Sequence, residues 1–196
     1  EISACLVGSE MCIRDRWELI IVGLLCVLFA FLYTTGPYPL SYNGWGDVLV
    51  IVFFGFVPVG GTYYVQALTW TSDTTVASLI CGLLIDTLLV VNNYRDREAD
   101  ARSGKRTVIV RFGEKFGRYL YLMLGVAASL LCFWFFFEGH LFAALLPLLY
   151  LIPHVLTWRR MVQIHSGKKL NSILGETSRN MLLMGILLSI GFLIRH

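Results

Sequence analysis

The sequence predicts an all-α fold, a polytopic transmembrane bundle of about six helices, and three observations predict it. The chain of 196 residues is 57% hydrophobic and only 15% charged, where an ordinary soluble domain carries about 25% charged residues. Its apolar residues are gathered into long runs, each near the roughly 20 residues that cross a hydrocarbon core of about 30 Å. Backbone groups in lipid must be bonded internally and the alternating pattern of barrel strands is absent, so the runs are helices.

The first sixteen residues, EISACLVGSEMCIRDR, do not belong to this pattern. They are mixed and charged, and they lack the apolar core and small-residue cleavage site of a signal peptide. They read as an adapter-like, non-native segment, which leaves 17–196 as the membrane domain. Six spans follow, at 17–35, 47–68, 74–93, 119–137, 141–158 and 170–194. Pro58, Pro147 and Pro153 fall inside spans. Each removes a backbone donor, so kinks are expected there rather than helix ends. Gly55 and the Gly60-Gly61 pair are placed to let helices approach closely.

The connections differ in character. Residues 36–46 (GPYPLSYNGWG) read as an ordered interfacial turn, and 69–73 and 138–140 as short hairpin links. Residues 94–118 hold eight Lys and Arg, and 159–169 hold four, together twelve of the sixteen in the chain. If six helices alternate, both basic connections fall on one side with the 36–46 turn. The positive-inside rule makes that side cytoplasmic, so the expectation is a multi-pass protein of the inner (cytoplasmic) membrane with its polar loops in the cytoplasm.

Composition also excludes classes. Net charge is +3, the basic residues lie between apolar spans, and aromatics such as Phe133 to Phe137 lie inside them. That is no platform for nucleic acid, and the lipid bilayer is the first expected partner. Cys5, Cys12, Cys26, Cys81 and Cys132 have no metal-type spacing and imply no disulfide framework. Tyr38, Tyr42, Trp45, Tyr63 and Tyr64 fit an aromatic belt at the interface, with substrate contact by Tyr42 or Tyr63 as a second reading. His154 and His165 have no ligand partner at a suitable spacing and are assigned to packing and surface roles. Asp86 lies mid-span, facing either a cavity or another helix, and Glu176 and Arg179 are i, i+3 neighbours able to pair.

The chemistry concentrates where the third span ends, in VVNNYRDREADARSGKRT. Asn92, Asp96 and Asp100 are spaced i, i+4, i+8 and lie on one helical face. Two carboxylates one turn apart, with amide oxygens beside them, offer the hard oxygen ligands of Mg²⁺, which completes its shell with water and substrate phosphate. Arg95, Arg97, Arg102, Lys105 and Arg106 stand around them to hold the remaining diphosphate charge. A solvated, charge-balanced loop is the bland alternative. Against it, Asn92 and Asn93 lie inside the apolar boundary, where polar groups are costly and face cavities, and solvation alone requires no phasing of the acids.

The segment Asn92-Asn93-Tyr94-Arg95-Asp96, with Asp100, the Gly104-Lys105-Arg106-Thr107 tail and Arg111-Phe112-Gly113, resembles the second aspartate-rich motif of the UbiA superfamily of intramembrane prenyltransferases. The paired asparagines and the Gly-Lys-Arg-Thr tail are similar to the 1,4-dihydroxy-2-naphthoate polyprenyltransferase branch, which serves menaquinone biosynthesis. The turn Tyr33-Thr34-Thr35-Gly36-Pro37-Tyr38-Pro39-Leu40 and Thr177-Ser178-Arg179 resemble two further signatures of that branch, in the same order.

The resemblance implies a Mg²⁺-dependent transfer of a polyprenyl group from an allylic diphosphate to an aromatic acid acceptor, 1,4-dihydroxy-2-naphthoate, with loss of diphosphate and CO₂. By motif, Asp96 and Asp100 would hold Mg²⁺ as the catalytic acids. Asn92 and Asn93 would support the site, and Lys105 with Arg102 or Arg106 would contact diphosphate. It also implies a nine-helix fold of which these six helices are the C-terminal two-thirds, because the first aspartate-rich motif of the family is absent here. The expectation is an N-terminally truncated chain, inactive on its own. Within the superfamily, 4-hydroxybenzoate polyprenyltransferases are the near rivals. From another class, a transporter fragment would place its acids on an ion path near the membrane midplane.

Overall fold

A computed structural model describes residues 17–194; the expectation for the first sixteen residues lies outside the described residues. Among them, six helices are long and apolar enough to cross a membrane: α1 (Trp17–Thr34), α2 (Gly46–Ala67), α3 (Ser72–Arg102), α5 (Glu114–Phe137), α6 (Leu141–Ile164) and α7 (Lys168–Leu193). A short helix, α4 (Val108–Phe112), rides on the connection between α3 and α5. The described residues form no strand. The all-α membrane bundle expected from the apolar runs is what the chain forms.

The prolines change helical geometry without ending the helices. Pro58 sits in a π-helical stretch, Ile51–Gly60, through the middle of α2. Pro147 opens a 3₁₀ stretch, Leu146–Tyr150, inside α6, and Pro153 falls in the first turn of the α-helical remainder, Leu151–Ile164. Pro58 and Pro147 thus sit where the hydrogen-bond ladder is locally rewound, and Pro153 falls just after the 3₁₀ stretch, where the α-helical ladder is starting again.

The central element is α3, which packs against α2 on one side and α5 and α7 on another. Thr71 caps it, its hydroxyl accepting from the Thr74 N–H at 3.2 Å. Against α2 the approach is close enough that a Cβ on Gly55 would meet the backbone of Ser78 and Gly82, the small-residue contact the sequence suggested. Two buried clusters hold α3 to the C-terminal helices. Near the basic end, Val90, Val91 and Tyr94 pack on Tyr121, Met161 and Ile173. Deeper, Ile80 and Leu84 pack on Phe135, Tyr150 and Met184. By contrast α1 buries no residue and meets α2 through rings such as Phe29 and Phe53, 5.2 Å apart.

Several polar groups inside the bundle are paired between helices, whereas Asp47 Oδ1, Ser78 Oγ and Asp86 Oδ1 are buried without a hydrogen-bond partner. The Tyr121 and Thr177 hydroxyls lie 3.0 Å apart, and Asn180 donates to the Thr157 hydroxyl at 2.9 Å. His154, fully buried, stacks between the rings of Tyr121 and Tyr150, with its Nδ1 2.9 Å from the Tyr150 hydroxyl. The packing role expected of this histidine is the one it has. Pairing matters here because an unpaired polar group in hydrocarbon is costly.

At one end of the bundle the Arg106 N–H donates to the Tyr42 carbonyl at 2.7 Å, and the Arg111 guanidinium donates to the Asn43 carbonyl at 2.7 Å. The turn before α2 and the connection after α3 therefore meet on the same side, as alternation of the spans requires.

Candidate functional site

Apolar character ends at Asn93, but the helix does not. α3 runs on for nine more residues to Arg102, so the polar segment 94–102 is a rigid helical extension beyond the apolar span. The phasing of Asn92, Asp96 and Asp100 is thus real geometry, with about 6 Å of rise between the two acids.

Arg95 organises this face. It grips Asp96 with two hydrogen bonds, Nε to Oδ1 at 2.8 Å and Nη2 to Oδ2 at 2.6 Å. The same guanidinium donates to Oδ1 of Asn92 at 2.7 Å and, across the bundle, to Oδ1 of Asn171 on α7 at 2.9 Å. The hydrogen bonds from Arg95 hold the Asp96 carboxyl below its ordinary value, because they favour the charged form. Asp100 pairs with the Lys105 ammonium at 3.4 Å. Asn93 is buried, while Asn92 is half-buried beside Arg95.

The other predicted residues take different places. Arg102 and Arg106 are exposed at the end of the extension. Tyr42 reaches the region through its backbone carbonyl, bonded to the Arg106 N–H, while its side chain is exposed. Arg97 points away toward α5. It donates to the Tyr94 carbonyl at 2.8 Å, lies 4.6 Å above the Tyr94 ring, and pairs with Glu114 at 3.3 Å. Glu114 also takes Arg118, the Tyr94 hydroxyl (3.2 Å) and His165 (3.1 Å). That hub fixes α3, α5 and the α6–α7 link together. Glu176 pairs with Arg160 on α6 and not with Arg179, one turn along its own helix; a guanidinium on the neighbouring helix reaches it first.

Asn171 and Glu114 were not legible as partners of this region. Glu114 carried a faint signal, four residues before Arg118 and just after Gly113, whose φ of 87° starts α5. Asn171 carried none, since its contact depends on how α7 leans against α3.

Beneath the face lies room for a chain. Asp96, Asn92, Ile85 and Cys81, at intervals of four, seven and four, share one side of α3. Ile85 and Cys81 line an open-sided apolar groove of about 750 Å³ between α2, α3 and α7, bordered by Val59, Met181 and Leu182. Among the described residues, no three His, Cys, Asp or Glu side chains gather into a metal-binding group. Two carboxylates on adjacent turns nevertheless suit Mg²⁺, which takes one or two protein carboxylates and fills its shell with water and phosphate oxygens.

Fold and site together define a polytopic helical membrane protein with an acidic and basic face at one end of an apolar groove. Comparison with known proteins makes this particular. Residues 2–191 match the UbiA prenyltransferase family, and the chain belongs to it. A 1,4-dihydroxy-2-naphthoate octaprenyltransferase of Haemophilus influenzae is 38% identical over 181 residues, covering 88% of this chain and 56% of that protein. Proteins of the same description from Mycobacterium tuberculosis and Escherichia coli are 41% and 38% identical, over 65% and 61% of this chain and 44% and 39% of their own. The chain thus spans about half the length of the curated relatives it matches. No solved structure matches it.

Proposed function

We propose that this chain carries a diphosphate-binding face of a Mg²⁺-dependent enzyme of menaquinone biosynthesis. The enzyme transfers a polyprenyl group from an allylic diphosphate to 1,4-dihydroxy-2-naphthoate, on the cytoplasmic side of the cytoplasmic membrane. The observation that carries the reading is the placement of Asp96 and Asp100 on adjacent turns of α3, next to Arg95 and Lys105, with an apolar groove that begins at Ile85, about 16 Å of rise farther along the same helix. The naphthoate acceptor is supported by the names of the relatives.

Asp96 and Asp100 would hold the ion, with Asn92 and Asn93 supporting them. Bound there, magnesium supplies charge neutralisation for the departing diphosphate. Arg95 and Lys105, already at the acids, are placed to take the diphosphate oxygens that the ion leaves free, and Arg102 and Arg106 add positive field at the mouth. The polyprenyl tail would extend past Ile85 and Cys81 into the groove, whose apolar walls keep the tail out of water. The allylic C–O bond breaks with its electron pair leaving on diphosphate, and the ring carbon forms the new C–C bond. Loss of the ring carboxylate as CO₂ returns its bonding pair to the ring and leaves a prenylated 1,4-dihydroxynaphthalene, the reduced form of demethylmenaquinone.

The test uses membranes from cells expressing the full reading frame that contains these residues, with labelled allylic diphosphate, Mg²⁺ and candidate acceptors. Prenylated naphthoate is expected, and Asp96→Asn or Asp100→Asn should each lower its formation by roughly 10²–10³-fold. Preference for 4-hydroxybenzoate would overturn the acceptor. Transfer undiminished by chelation of divalent ions would overturn the metal.

A further inference from the structure

The face between α6 and α7 opens, near the end of the bundle that carries the basic connections, into a groove of about 390 Å³. Its walls bring together Arg159, Arg160, Arg179 and Glu176, with Thr157 and Leu156. Arg160 is ion-paired to Glu176. Among the described residues, Arg159 and Arg179 have no hydrogen-bonded or ionic partner. Three guanidiniums against one carboxylate leave the groove with two unmatched positive charges.

The position makes this notable. Arg179 lies eight residues along α7 from Asn171, about 12 Å of rise inward. An unpaired guanidinium at that depth is costly in hydrocarbon and is normally relieved by a partner or by reaching to the interface. Here it lies beside Arg159 and Arg160, in the last turns of α6, so one anion can reach Arg159 and Arg179 together. Farther from the basic end the outer surface is apolar: Leu149, Ile152 and Leu156 on α6 are all exposed. A charged pocket continuing onto a greasy wall matches a molecule with an anionic head and hydrocarbon chains. A free phosphate would use the arginines and leave the wall unused. Basic pockets between transmembrane helices are the general form of sites for anionic lipid headgroups.

We propose that the α6–α7 groove binds an anionic phospholipid, its phosphate held by Arg159 and Arg179 and its acyl chains laid along Leu149, Ile152 and Leu156 of α6. Glu176 neutralises Arg160, so the two guanidiniums of Arg159 and Arg179 are the ones left for the headgroup. The site is separate from the Asp96–Asp100 face and does not depend on the reaction assigned to it.

The experiment is native mass spectrometry of the chain purified in detergent. It is titrated with phosphatidylglycerol, with phosphatidylcholine of the same acyl chains, and with inorganic phosphate. Two guanidiniums at the membrane surface should favour phosphatidylglycerol by roughly thirtyfold in Kd. The double variant Arg159→Gln/Arg179→Gln should erase that preference. Glu176→Gln, which frees Arg160, should keep or strengthen it, and this arm decides the matter if the double variant loses its helical circular dichroism. Equal affinity for the two lipids overturns the proposal, as does a preference that survives the double variant or falls in Glu176→Gln. Displacement of the lipid by an equal concentration of inorganic phosphate overturns the lipid as the occupant.

Discussion

Two glycines of α2 form a matched pair that isolates helix packing from helix propensity. Replacing either Gly55 or Gly61 by alanine relieves the entropic cost of a glycine inside a helix, about 0.5–1 kcal/mol in both. At Gly61 the new methyl meets nothing within 4 Å. At Gly55 it would lie 2.5 Å from the Ser78 carbonyl oxygen and 2.8 Å from the Cα of Gly82, both backbone atoms of α3. Ordinary contact begins near 3.4 Å, so α2 must retreat by about 0.9 Å, the difference of the two distances. No side chain can rotate aside to avoid it. Overpacking of this kind costs about 1–3 kcal/mol. Because the propensity gain cancels between the variants, Gly55→Ala should be about 1–3 kcal/mol less stable than Gly61→Ala. Reversible unfolding in mixed detergent–SDS micelles, followed by circular dichroism, measures the gap. Equal midpoints for the two variants would refute the close α2–α3 crossing.

Other expectations follow from single contacts. Asn180→Ala removes the buried bond to Thr157 and should cost about 0.6–1.7 kcal/mol in the same unfolding assay, the range for polar contacts between membrane helices. Glu114→Gln discharges the hub that holds Arg97, Arg118 and His165; a loss of about 1–3 kcal/mol is expected, with faster proteolysis of the 103–113 connection. Arg95 depresses the Asp96 pKa below 3.8, so the pair's contribution is present above that value and is lost as pH falls through the lower folded value. Arg95→Gln should flatten stability against pH below about 4, and an unchanged acid limb would show that the pair contributes nothing.

The six spans were legible because run length against bilayer thickness is a coarse and strongly enforced signal. The acidic face was legible too, since a period of 3.6 needs only a continuous helix to become geometry. What hydropathy could not show was that α3 stays helical from Tyr94 to Arg102. Apolar character stops at the membrane boundary, whereas Arg, Glu and Ala there are good helix formers that continue the ladder. The prolines were read as kinks, but the rewinding at Ile51–Gly60 and Leu146–Tyr150 depends on which neighbouring helix fills the space. Partner choice was the least legible part. Glu176 had Arg179 at helical spacing, yet it pairs with Arg160, because α6 and α7 lie close enough for a long side chain to cross.

The same cross-bundle contact matters most at Arg95. Its guanidinium satisfies Asp96, Asn92 and Asn171 at once, and Lys105 covers Asp100. The face is therefore already neutralised, acid by acid, from within the chain. An ion that takes the free lone pairs of the Asp96 oxygens competes with Arg95 for the same carboxylate charge, and the loosened guanidinium then needs an anion within the same reach. A metal diphosphate supplies both charges in one molecule, whereas a bare cation would leave Arg95 and Lys105 without partners. Partner exchange of this kind favours the ion and the anion together over either alone. It also ties the event to α7, since Arg95 cannot leave Asp96 without changing its hold on Asn171.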